Sequence, residues 1–305
     1  MAFAATAAFG QNPSSGANEA MEFSRILSSP VTTAIGFSGK ARTGDIAWAS
    51  GVNAAMIPFS EEVFGASSSY QLWNPLYDPQ NAVSVGLGAR WGIFGVSGSV
   101  AFRVGSSDIY ESFDDDGLSH GMVTRQPLDA VANLGLGVQV LPFLSVGVDL
   151  RYSGSRLSDK LTPLVAFGAD IFVAARYQGF NFSAGVANLG PKVTAASGDR
   201  YPIPTSLALA AGYENSFGDH GAGAWLDLDF FTAYQGFTAA VGAEYSWRRT
   251  LFARAGYHFA TAGACLPSFA TFGLGGKYRD LSLDASILLF SPVSSSFTVG
   301  ITYSF

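Results

Sequence analysis

The 305 residues include only 13% charged side chains, with a net charge of −6 and a pI near 5.0. That acidic balance excludes nucleic acid as a partner, because phosphate binding needs a basic face. Hydrophobic residues reach 48% and aromatic residues 14%, yet no apolar run approaches the ~20 residues of a membrane-spanning helix.

Hydrophobicity without such runs must come in alternating doses. This is the pattern of a transmembrane β-barrel, in which every second residue meets lipid. Residues 1–10, Met1-Ala-Phe-Ala-Ala-Thr-Ala-Ala-Phe-Gly10, are small and apolar and precede polar Gln11-Asn12-Pro13. They read as the tail of a secretory signal peptide without its basic region, cleaved after Gly10. A merely apolar N-terminus is the alternative. No cysteine follows, so lipidation there is not expected.

Residues 11–66 lack the rhythm of the rest. Met21–Leu27 has the pattern of a short amphipathic helix, and Gly44–Ala55 is small and loop-like. The stretch is read as an N-terminal plug folded partly inside the barrel, since Trp48, Ile57 and Phe59 need burial. An exposed periplasmic tail is the alternative.

From about residue 67 to Phe305 the sequence alternates. In 144–152, Leu144, Val146, Val148, Leu150 and Tyr152 share one face, and Ser145, Gly147, Asp149 and Arg151 the other. A strand separates these sets and a helix mixes them. The same division predicts strands over 67–73, 81–91, 94–104, 130–140, 143–153, 164–177, 180–188, 204–214, 222–231, 237–246, 250–259, 270–278, 281–290 and 296–305. The expected fold is all-β: a transmembrane antiparallel barrel of about fourteen strands over 67–305, an even number. Tight turns at 91–94, 140–143, 177–180, 246–250 and 277–280 alternate with longer links at 105–129, 154–163, 189–203 and 260–269. Outer-membrane barrels alternate short periplasmic turns with long external loops in this way. That places the chain in the outer membrane, among its lipids, with both termini periplasmic. Aromatics at the tight turns suit an interfacial girdle.

Assigning the Gly/Ser face to the lumen sorts the charges. Asp149, Asp170, Glu214, Asp227, Asp229, Glu244 and Asp284 fall there with Arg90, Arg103, Arg151, Arg176, Arg254 and Lys277. The signs nearly balance, which points to paired lumen charges rather than a selective pore with an excess of one sign. Asp227 and Asp229 face one way and suit a cation or a basic plug residue. Phe172, Trp225, Phe231, Phe252, Leu288 and Phe290 also point inward. They either line an apolar pocket or pack against the plug.

Enzymatic motifs are lacking: no Gly-x-Ser-x-Gly elbow, P-loop or His-Glu-x-x-His occurs. His120, His220 and His258 lack ligand spacing and read as scattered polar residues. Asp114-Asp-Asp116-Gly117 lacks the spaced ligands of a calcium loop and reads as a solvated tip. Cys265, the only cysteine, excludes an internal disulfide framework and a cysteine metal cluster. No cofactor is expected.

A series of short motifs resembles a known family. It runs Asn188-Leu-Gly-Pro191, Tyr201-Pro-Ile-Pro-Thr-Ser-Leu-Ala-Leu-Ala-Ala-Gly-Tyr213, Val241-Gly-Ala-Glu-Tyr245, Ala253-Arg-Ala-Gly-Tyr257, Phe272-Gly-Leu-Gly275 and Tyr303-Ser-Phe305. In order and spacing it resembles the PorV/PorQ outer-membrane proteins of Bacteroidota, relatives of the FadL fatty-acid transporter barrels. The match is good over 125–305 and loose over 20–65. The resemblance implies fourteen strands, an N-terminal hatch and Bacteroidota-like origin. Family hatches often carry Asn-Pro-Ala; the best match here is Asn53-Ala54-Ala55. The resemblance also implies service in type IX secretion, with secretion-system and exported cargo proteins bound at external loops 105–129 and 189–203. A FadL-like transporter of hydrophobic small molecules is the second reading. Phe305, a terminal aromatic after an alternating strand, resembles a barrel-assembly signal.

Overall fold

In the computed structural model the described residues are 19–75, 79–113, 118–158, 163–195, 198–233, 235–261, 264–291 and 294–305. The expected leader over 1–10 and the acidic tip Asp114–Gly117 lie outside them. Strands run in chain order as β1 Phe64–Trp73, β2 Gln80–Trp91, β3 Phe94–Val104, β4 Asp108–Phe113 and β5 Ser119–Leu141. Next come β6 Leu144–Ser158, β7 Leu164–Tyr177, β8 Phe180–Leu189, β9 Val193–Thr194 and β10 Arg200–Tyr201. The last are β11 Ser206–Phe217, β12 His220–Phe231, β13 Phe237–Trp247, β14 Leu251–Ala260, β15 Phe269–Tyr278, β16 Leu281–Ser291 and β17 Ser294–Ser304.

Fourteen of these form one antiparallel ring, each paired with the next ring strand in sequence; β4, β9 and β10 stand outside it, so β3 pairs with β5 and β8 with β11. The ring closes where β1 pairs with β17, Gly65 opposite Ser304 through Leu72 opposite Phe297. It is continuous at β3–β5, from Phe94 opposite Val138 to Val104 opposite Leu128. Closure leaves no strand edge in lipid, where an unpaired backbone group costs several kcal/mol. No helix among the described residues is long and apolar enough to cross a membrane.

The alternation lands on the faces the sequence predicts. In β6, Val148 and Leu150 are exposed on the outside, while Ser145, Asp149 and Arg151 are buried on the inside. One end of the barrel has two- or three-residue turns; the other carries the longer links, together with the short β16–β17 connection. The tight-turn rim is aromatic, with Trp91, Phe143, Tyr177, Phe217, Trp247 and Tyr278 exposed on it. Phe305 sits on the same rim, exchanging backbone hydrogen bonds with Phe64.

Four expectations need correction. The link 105–129 is not loop throughout: β4 pairs with the start of β5, Asp108 opposite Arg125 onward, as a hairpin extending the wall. Described residues on both faces there, such as Asp108 and Ile109, are exposed, so the alternation of buried and lipid-facing positions, which the strand reading followed, does not hold in it. The link 189–203 contains a small ladder, Thr194 opposite Arg200. Met21–Leu27 is not a helix but a single 3-10 turn, Glu22–Arg25, and the loop-like stretch Gly44–Ala55 holds the turn Ile46–Gly51, followed by Ala54–Phe59.

Candidate functional site: the lumen

Residues 19–62 thread the lumen and touch nearly every strand. The Ala20 N–H donates to the Pro202 carbonyl at the long-link end, 2.8 Å away. This end is opposite Phe305, and residues before Glu19 lie outside the description. Gln71 donates to the Leu27 carbonyl (3.2 Å). The five-residue helix Pro30–Ala34, capped by Ser29, packs on β15 and β16. Thr271 donates to the Ala34 carbonyl at 2.8 Å. The chain then passes β13 and β14, meets β11 and β12, and returns through two 3-10 turns along β1–β3 and β5–β7.

Glycines on the inner face make this path possible. A Cβ at Gly256 would overlap the backbone of Ile35 and Gly36, and one at Gly147 would overlap Ala54 and Ala55. The Asn53-Ala54-Ala55 motif sits at the second contact. The Asn53 side chain accepts from the Ala55 N–H (2.9 Å) and donates to the Lys40 carbonyl (2.7 Å). The Ala54 N–H donates to Asp149 Oδ2 at 3.2 Å. Proline at 54 has no N–H, so the departure from Asn-Pro-Ala supplies this buried carboxylate with a donor.

The inner-face charges pair largely with cations of the threaded segment. Asp229 holds Lys40 at 2.7 Å and Arg25 at 3.0 Å. Asp227 accepts from the Lys40 N–H at 2.9 Å. Arg254 bridges Glu244 and Asp284, both at 2.5 Å, and Arg42 stands 3.7 Å from Glu244. Glu214 accepts from the Thr43 N–H at 3.0 Å. Arg151 pairs with Asp170 at 2.9 Å within the wall, and its Nε donates to Asn133. Arg90 lies at the rim, with its Nε 3.4 Å from the Glu62 carbonyl. Arg103 is buried and donates to Gln71 and the Ile26 carbonyl. Arg25 and Lys40 take the place of the basic plug residue that Asp227 and Asp229 suit, although strand alternation does not identify them or Arg42.

The inward aromatics do not share one chamber. Phe172 packs against Met56 and Phe59. Trp225 lies under the Arg42 guanidinium and Phe252 under that of Arg254, both towards the tight turns. Leu288 and Phe290 join Phe37, Trp73, Leu266 and Phe269 in an apolar cluster at the long-link end. Phe231, beneath Arg25 at 5.4 Å, borders that region.

Two spaces remain. One, about 50 Å³, lies between the threaded segment and the inner faces of β6–β8 and β12–β14, lined by Leu27, Phe37, Arg151, Asp170, Asp229 and His258 among others, with Cys265 and Leu266 of the β14–β15 link. Burial pushes the Cys265 thiol up to about 12, so it stays a neutral, apolar wall. The other, about 650 Å³, opens at the tight-turn end and is lined by Arg42, Glu62, Arg176, Glu214 and Lys277 among others. Among the described residues no group of three or more His, Cys, Asp or Glu could hold a metal ion.

No family model matches the sequence, and no curated protein matches it. Solved structures do. The toluene transporter TodX of Pseudomonas putida superposes with a TM-score of 0.66 at 15% identity, covering 92% of this chain and 98% of that one. A FadL homologue of Pseudomonas aeruginosa gives 0.55 at 11% identity, over 92% and 99% of the two chains. The outer-membrane protein Omp33 of Acinetobacter baumannii gives 0.50 at 9%, over 80% and 98%. TodX is a transporter and Omp33 an outer-membrane protein. The fold is that of a FadL-like, fourteen-stranded outer-membrane β-barrel.

Proposed function

We propose that this chain passes small hydrophobic molecules across the outer membrane, with residues 19–62 acting as the hatch. The observation that carries this is the apolar cluster inside the long-link mouth. Trp73, Phe269, Leu288 and Phe290 face the lumen there and pack with Phe37 of the threaded segment. A water-filled pore has a polar interior, and an aromatic mouth favours apolar solutes. The likeness to a toluene transporter and a FadL homologue points the same way. Below the cluster, the ion pairs of Arg25, Lys40 and Arg42 hold the passage shut, so transport requires the segment to shift. The test is uptake of radiolabelled toluene by vesicles containing the protein. Uptake faster than in empty vesicles, with none for a sugar of similar size, is expected; equal rates for toluene with and without protein would sink the reading.

The second reading is a protein-docking component of type IX secretion, of the PorV/PorQ kind. Its support is the β4–β5 hairpin, which holds Ile109, Leu118 and Met122 exposed beyond the barrel at the long-link end. Deleting 108–122 should then release exported cargo from the surface while leaving toluene uptake intact. Unchanged cargo attachment removes this reading.

A further inference from the structure

Lumen polar groups are mostly satisfied, and His258 is an exception. It lies on the inner face of β14, 6% exposed, and neither ring nitrogen makes a hydrogen bond. The Gly36 backbone comes near without completing one. Asn181 is the other buried side chain, among the described residues, whose polar atoms are all unpartnered. Of the two, only His258 borders the inner cavity. A buried polar group left unpaired costs about 1–3 kcal/mol, so such a group calls for a partner.

The imidazole cannot turn away to find one. Its ring stacks on Phe269 at 4.8 Å and 11°, and Phe37 packs at 6.0 Å from the other element. The nearby charges are committed: Asp229 is held by Lys40 and Arg25. The ring therefore has no carboxylate to itself, and a neutral imidazole offers one donor and one acceptor. A hydroxyl also offers both, so it matches either tautomer. A hydrocarbon matches neither.

Size narrows the choice further. About 50 Å³ holds a hydroxyl or a few waters, whereas a benzene-binding cavity is about 150 Å³. A hydroxyl therefore fits the space and a whole aromatic ring does not. The apolar remainder of a ligand must run past Leu27 and Leu266, which flank the same cavity.

We propose that the cavity beside His258 recognises the hydroxyl of a small phenol- or alcohol-type molecule, and so prefers it to the parent hydrocarbon. This rests on the small-molecule reading above. The experiment is equilibrium binding of phenol and of toluene to the full-length protein in nanodiscs, with partition into empty nanodiscs subtracted. Wild type should favour phenol by about tenfold, the value of one neutral hydrogen bond. His258→Phe should remove that preference, and His258→Gln, which keeps a donor and an acceptor, should retain most of it. Benzyl alcohol should displace phenol from wild type far better than toluene does, a result that needs no variant to fold. A preference unchanged in His258→Phe, or equal displacement by toluene, overturns the inference and leaves the transport reading standing. Binding of neither compound to wild type overturns both.

Discussion

The two faces of the same strands obey different solvents. Outward residues such as Val148, Leu209, Leu226 and Ile301 stand alone against lipid, each exposed and chemically interchangeable with its neighbours. Inward residues two positions away are specific: Asp227 meets Lys40, Gly256 meets Gly36, and Ser67 accepts from the Trp48 indole N–H at 2.9 Å. Lipid asks only that a side chain be apolar. A packed lumen asks that each group have its own partner. The difference teaches that the barrel wall and its contents are separable problems, and it yields graded predictions.

The largest effect belongs to an inner charge. Arg254→Met leaves Glu244 and Asp284 buried without their common cation. Removing one member of a buried ion network costs about 3–5 kcal/mol. Urea unfolding of the barrel in lipid should show it, with Arg254→Met/Asp284→Leu recovering part of the loss. Next comes an outer position. Leu226→Arg places a cation on the lipid face near the middle of β12. The expected loss is about 2–4 kcal/mol in the same assay. Arg25, of the same charge but inside, is accommodated by Asp229.

A smaller effect separates wall from contents. Gly256→Val forces overlap with the backbone of Ile35 and Gly36. Overpacking of this kind costs about 1–3 kcal/mol. It should fall on the threaded segment and spare the ring, so amide exchange should speed up in 30–40 and stay slow in β13 and β14. Faster exchange throughout the barrel would contradict the separation.

The mildest effect is a pH dependence. Burial raises the carboxyl of Glu19 to about 7, with Arg25 opposing it in part. Burial, with Glu19 adding repulsion, raises that of Glu22 to about 7. An acid whose folded pKa is raised holds its proton more tightly when docked than when free. Docking of residues 19–25 is therefore strongest below about pH 4.5, weakens as pH rises towards 7, and is level above that. Amide exchange at 20–26, corrected for intrinsic rates, should show this gradient. A flat profile, or one of opposite slope, would contradict it.

Much of the wall was legible in the sequence because lipid leaves a period of two in it. Val146, Val148 and Leu150 could not be anything else without cost. The β4–β5 hairpin was not legible, since exposure on both faces leaves no such period. The turns Ile46–Gly51 and Ala54–Phe59 were not legible either. They are held by wall contacts such as Ala54 to Asp149, which have no local signature. Alternation also gives the face of a residue but not its depth. Trp225 and Phe290 both point inward, yet they lie towards opposite ends of the barrel. For the same reason the acids of the lumen were evident, and a basic plug residue was one partner open to Asp227 and Asp229, but alternation could not name Arg25, Lys40 or Arg42. His258 carried no signal, because its meaning lies in what fails to reach it.

The most direct test of the account is ion conductance in a planar bilayer. With residues 19–62 pinned to the wall by Asp149, Asp229, Glu214 and Glu244, the intact chain should carry no steady current. A chain lacking residues 19–60 should form a stable conducting pore of a fourteen-stranded ring. Steady and equal conductance from both chains would contradict the claim that this segment closes the lumen.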